Sequence, residues 1–236
     1  MPSGHTYNQK CSLYNFLAEF ITENRKQRFE EVVVFRTRYI TVILEDIYQP
    51  HNASAVLRTC DCFGIQDVHI IENKNKYHVN PDVALGSSNW LTLHKYNKKE
   101  NNTADCIKAL KKKGYTVIAT TPHENGCNID ELDLSHKTAL LFGTEMKGLS
   151  EQAIQQADGY VKIPMYGFTE SFNISVSAAI ALFSLTERLR KTNASWQLDK
   201  NEIIKLKIEW VKNSLKNAGE IEKKYFERIK KIKKQN

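Results

Sequence analysis

Short β-branched or aliphatic runs alternate along this chain with stretches whose apolar residues recur every three or four positions. The runs at 39–44, 67–71, 115–120, 138–142 and 160–163 predict strands, and the helical spacing predicts helices over 12–26, 53–63, 104–113, 176–189, 198–215 and 219–234. A further helix starts at Ser150, a residue type that caps helix N-termini. Strand, helix and strand follow one another through the middle of the chain, which predicts an α/β fold with a parallel sheet and helices on both faces. Residues 1–38 read as a helical N-terminal extension, 39–192 as the α/β domain, and 193–236 as a basic helical C-terminal extension.

Polar residues gather directly after three of the strand runs. His51-Asn52-Ala53-Ser54-Ala55-Val56-Leu57-Arg58-Thr59 follows the first, and Phe142-Gly143-Thr144-Glu145-Met146-Lys147-Gly148-Leu149-Ser150 follows the fourth. The third block runs from Ile163-Pro164-Met165 on to Ser171-Phe172-Asn173-Ile174-Ser175. Parallel α/β sheets present ligand sites at the carboxyl ends of their strands, so all three blocks stand where a site belongs. A helix beginning near Ala53 puts Asn52 at its N-cap and Arg58 about one and a half turns inside, where the two can converge on one site. The chain has no G-x-G-x-x-G fingerprint, which removes the common alternative mode of binding a nucleotide-like cofactor.

In this order and at this spacing the blocks resemble motifs 1, 2 and 3 of the SPOUT methyltransferases, most closely the TrmH branch, which methylates ribose 2′-hydroxyls of RNA. The resemblance covers 39–185. It implies a deep trefoil knot from about Thr138 onward, although chains ordinarily avoid threading loops. It implies S-adenosylmethionine bound in that knot beside Thr120, Gly143, Ile163 and Phe172, and a catalytic set of Arg58, Asn52, Glu145, Ser171 and Asn173 in a homodimer whose active site is built across the two-fold interface. Gly143 also has a physical reason, since glycine lets the backbone approach a flat purine closely.

Plainer readings stand beside these. Ile163 and Phe172 read equally as core residues, Asn52 as a helix cap alone, and Arg58 as half of a structural ion pair. A guanidinium stays protonated at neutral pH, so Arg58 suits clamping phosphate and stabilising a developing alkoxide better than acting as a base. The resemblance implies a D-loop guanosine of tRNA as substrate; the alternatives are ribosomal RNA and a knotted RNA-binding module without catalysis. The run Ala178-Ala179-Ile180-Ala181-Leu182 suits close packing between subunits, and equally a buried helix of a monomer.

Charge adds a second feature. Lys and Arg number 34 against 27 Asp and Glu, a net of +7, and residues 198–236 carry twelve basic and six acidic side chains, +6 of that total. Ile221, Tyr225, Ile229 and Ile232 place an apolar stripe on one face of the last helix, with Lys223, Lys224, Arg228, Lys230, Lys231, Lys233 and Lys234 around it. The lysines read either as a solvated face or as contacts to RNA phosphate. Arg25, Lys26, Arg28, Arg36 and Arg38 make another basic region. No apolar run approaches the roughly 20 residues that span a bilayer, and residues 1–10 lack the hydrophobic stretch of a signal peptide, so a soluble cytoplasmic protein is expected. The five cysteines include no C-x-x-C pair and the seven histidines show no ligand spacing, so no metal is expected.

Overall fold

The computed structural model describes residues 6–78, 80–84, 86–122, 124–144 and 147–235. It divides the chain into two compact units, Thr37–Trp196 and Met1–Arg36 with Gln197–Asn236, so the two terminal extensions form one unit. Its helices are α1 (Tyr7–Ala18), α2 (Glu23–Val33), α3 (Pro50–Cys62), α4 (Pro81–Ala84), α5 (Thr103–Lys112), α6 (Glu151–Gln156), α7 (Ile174–Leu189), α8 (Lys200–Ser214) and α9 (Ala218–Gln235). The strands are β1 (Ile40–Glu45), β2 (Asp67–Ile71), β3 (Thr92–Tyr96), β4 (Tyr115–Thr120), β5 (Cys127–Asn128), β6 (Lys137–Phe142) and β7 (Gly159–Lys162).

The strands form one sheet in the order β3-β2-β1-β6-β4-β7-β5, with every pairing parallel. Alternation sends Ile40, Val42, Leu44, Ile118, Leu140 and Phe142 to one face, where they share a core with α3 and α7. Ile43, Val117, Ala139 and Leu141 face the other way, into a second core with Cys106, Ile107 and Leu110 of α5 and Ala153 of α6. Burial on both faces accounts for the nearly continuous apolar strand runs. From β1 the chain builds outward through β2 and β3, whereas the later strands lie on the opposite side of β1. The order therefore reverses between β1 and β6, the kind of switch point at which open parallel sheets hold ligands.

Two local starts differ from the expected ones. The helix expected over 12–26 is two helices, because α1 ends at Ala18 and the Thr22 hydroxyl accepts the Arg25 N–H to begin α2. Helix α3 begins at Pro50, with Gln49 at the N-cap. Proline suits the first helical position, where its missing N–H costs nothing, so Asn52 lies within the first turn and is not the cap.

In the smaller unit, Phe29 packs on Trp210 at 5.4 Å between ring centroids, and the Lys207 ammonium pairs with Glu30 while lying 4.3 Å from the Tyr14 ring centroid. Tyr225 of the α9 stripe is buried against Phe16 of α1, with ring centroids at 5.3 Å, while Lys223, Lys224, Arg228, Lys230 and Lys231 are exposed. Arg36 is 2% exposed and stands over the Trp210 ring, and Arg38 pairs with Asp67 at 2.8 Å. Arg36 is thus buried and Arg38 half-buried against its carboxylate, so neither is a fully solvent-facing basic side chain.

Candidate functional site

The carboxyl ends of β4, β6 and β7, adjacent in the sheet, open into a cavity of about 370 Å³ within the larger unit. Thr120, Gly143, Ile163 and Phe172 line it together with Ser171. The Thr120 hydroxyl donates to the Leu141 carbonyl at 2.9 Å and so ties the end of β4 to β6. Ile163 both lines the cavity and packs on the core, whereas Phe172 is exposed at the mouth. Apolar walls from Phe142, Leu149 and Ala181 meet the charged side chains of Lys147, Lys162 and Glu170. Sequence reasoning assigned no role to these three charges; Lys147 stands inside the second block and Glu170 directly before Ser171, so their positions were the available signal.

The wall formed by the second block closes on itself. Thr144 and Gly148 exchange backbone hydrogen bonds of 2.9 and 3.0 Å, and Gly148 has a φ of 67°, which favours glycine. A Cβ on Gly143 would fall closer than 3.0 Å to the backbone of Gly148 and Leu149. The sequence reading tied Gly143 to a purine; its demanding neighbour in the structure is the loop's own backbone. Glu145 and Met146 lie outside the described residues.

The first and third blocks meet beside this cavity. Asn173, the N-cap of α7, accepts from the Ser175 N–H at 2.8 Å and donates through Nδ2 to Asn52 Oδ1 at 3.1 Å. Asn52 in turn donates to Gln49 Oε1 at 3.1 Å and is buried. Arg58 is not part of this chain of amides. Six residues at about 100° each leave it roughly 120° around α3 from Asn52, and it is exposed, outside the cavity lining. Among the described residues no carboxylate pairs with it, so the structural ion pair is not seen there.

Two strongly shifted titratable groups lie at the β2–β3 edge. Burial, together with the neighbouring His94, pushes His69 down to about 3, and burial pushes the Cys106 thiol up to about 12. Among the described residues no group of three His, Cys, Asp or Glu side chains is placed to hold a metal ion, and no helix is long and apolar enough to cross a membrane.

A parallel sheet with a cavity at the carboxyl ends of its strands defines an α/β domain built to hold a small-molecule ligand. More narrowly, the chain belongs to the SpoU rRNA Methylase family, whose model matches residues 39–183. It is similar to the tRNA (guanosine(18)-2′-O)-methyltransferase of Borreliella burgdorferi, at 46% identity over 206 residues, covering 87% of this chain and 93% of that protein. The crystal structure of the A. aeolicus TrmH/SpoU tRNA modifying enzyme matches with a TM-score of 0.73 and 29% identity, over 82% of this chain and 98% of that one. The SpoU methyltransferase AviRb from Streptomyces viridochromogenes, solved with AdoMet, shares the fold at a TM-score of 0.54 and 20% identity, over 69% and 62% of the two chains.

Proposed function

We propose that this chain methylates a ribose 2′-hydroxyl of tRNA from S-adenosylmethionine, at guanosine 18 of the D-loop, in the cytoplasm. The observation that carries this reading is the cavity walled by the second and third blocks with the first block hydrogen-bonded beside it through Asn52 and Asn173. Its volume falls within the roughly 300–1,000 Å³ of sites for small molecules and cofactors. Thr120, Gly143, Ile163 and Phe172 would hold the cofactor, which supplies an electrophilic methyl group when bound. In the same reading the chain from about Thr138 onward forms a deep trefoil knot, in keeping with the insertion of β6 between β1 and β4.

Within that reading the chain's own residues divide the work. Arg58 clamps an RNA phosphate and stabilises negative charge growing on the 2′-oxygen, while the proton leaves late to water. Asn52, oriented by Asn173, lies beside the cavity, and Glu145 and Ser171 complete the site. Since Arg58 does not line its own cavity, the active site is assembled in a homodimer, with Arg58 serving the partner's cofactor. Only part of the run expected from sequence is open for this, because Ala178, Ala181 and Leu182 are buried in the protomer's own core. Val176, Ile180 and Phe183 form an outward stripe on α7, continued by Phe63 with its ring 6.2 Å from Phe183. Phe183→Asp is expected to convert a dimer to a monomer in light scattering at micromolar concentration; a wild-type monomer would contradict the assembly.

The test of the function is transfer of labelled methyl groups to total tRNA and to ribosomal RNA, followed by nucleoside mapping. Label in a tRNA 2′-O-methylguanosine is expected; label in ribosomal RNA, or none, would favour the other readings. The α9 lysines add interactions with phosphate. Replacing Lys223, Lys224, Arg228, Lys230 and Lys231 by serine spares the Tyr225 packing and is expected to lower the log–log salt slope of tRNA binding by about 0.7–0.9 for each phosphate that is no longer neutralised. Titrations across salt concentration measure this, and an unchanged slope would move the RNA off α9.

A further inference from the structure

We propose that Glu45 is a positioning residue for the cofactor cavity, its buried carboxylate clasping the end of the 143–149 loop and so setting one wall of the site. The proposal rests on the reading that this cavity takes S-adenosylmethionine. Glu45 ends β1 and is turned by the strand's alternation to the α5–α6 face of the sheet, where it is 3% exposed. Its Oε1 accepts the Thr103 hydroxyl at 2.6 Å and the Ser150 hydroxyl at 2.8 Å, and Oε2 accepts the Ser150 backbone N–H at 2.9 Å. Among the described residues no cationic side chain pairs with it. Burying a carboxylate without a cation is costly, so these three donors carry its compensation, and two of them belong to one residue.

That residue connects the carboxylate to the cavity. Ser150 is the N-cap of α6, its hydroxyl accepting from the Ala153 N–H, and it directly follows Gly148 and Leu149, which line the cavity. Within the loop, closure depends on the Thr144–Gly148 pair and on the lack of a side chain at Gly143. Those contacts shape the loop, and at its far end Leu149 packs on the second core without fixing the backbone of Ser150. Glu45 fixes it, tying that end to β1 and, through Thr103, to the start of α5. A loop that spends less time in this position binds cofactor more weakly in proportion to the competent fraction.

Glu45→Gln in the full chain tests this, since it keeps the size and one acceptor and removes the charge and the second acceptor. Calorimetry with S-adenosylmethionine is expected to show at least fivefold weaker binding, with kcat at saturating cofactor within twofold of wild type and RNA affinity unchanged. Ser150→Ala should weaken cofactor binding in the same direction, and the double variant should cost less than the two single effects combined, because both act on one set of bonds. Cofactor affinity in a folded Glu45→Gln protein equal to wild type, whatever its melting temperature, would overturn the proposal. Amide exchange separates this from failure of the functional reading. Should wild type take up no cofactor, the reading of the cavity falls, yet the clasp still predicts at least tenfold faster exchange at Leu149 and Ser150 in Glu45→Gln, and unchanged exchange there would overturn it.

Discussion

Replacing Arg58 by alanine is expected to lower the single-turnover rate of methyl transfer by about 10²–10³-fold, the loss typical of removing one preorganised group that stabilises developing charge. Cofactor affinity should be unchanged, because Arg58 does not line the cavity of its own protomer. Stability should change little as well. The side chain is exposed, and surface substitutions usually stay within about 0.5 kcal/mol. Arg58→Lys is a sharper control, since it keeps the charge and loses the planar fork that grips phosphate with two parallel hydrogen bonds. If lysine restores the rate, a point charge suffices; if it fails as alanine does, the geometry of the fork matters. A near-normal rate in the alanine variant, measured at saturating tRNA, would remove Arg58 from the chemistry.

Sequence made the central strands and the cavity legible for the same reason. Ile40, Val42, Leu140 and Phe142 are apolar because both faces of the sheet are covered, and Thr120, Gly143 and Ile163 stand where those runs stop. Strand β3 escaped notice because Thr92–Tyr96 lies at the sheet edge and mixes polar with apolar residues, and β5 is only two residues long. The break between α1 and α2 carries no glycine or proline; a threonine cap makes it. Within the site, distance along the chain set the limit. Asn52 and Asn173 are 121 residues apart, and Glu45 finds its donors 58 and 105 residues away, so no local spacing could join them. Arg58 differs, because the angle separating it from Asn52 is fixed by the helix itself.

Gly143→Val is expected to weaken S-adenosylmethionine binding by more than 100-fold, for a reason that its neighbour in the same loop isolates. A side chain at 143 has nowhere to go: its first carbon meets backbone of Gly148 and Leu149, which cannot rotate aside as a flexible side chain can, so the cavity wall must move. At Gly148 a Cβ meets nothing within 4 Å, and only the φ of 67° opposes it, a conformational cost of about 1–2 kcal/mol. Gly143→Ala should therefore damage cofactor binding far more than Gly148→Ala, as calorimetry on the folded variants would show; equal losses would mean that strain, not steric overlap, governs the loop. The valine variant also decides which protomer Arg58 serves. In a mixed dimer, one subunit carries Arg58→Ala with an intact cavity and the other carries Gly143→Val with an intact arginine. Action across the interface restores one complete site and about half of the wild-type dimer's rate, because the arginine of the second subunit reaches the cavity of the first. Action within a subunit leaves both sites broken, and a mixed dimer as inactive as its parents would confine the chemistry to single protomers.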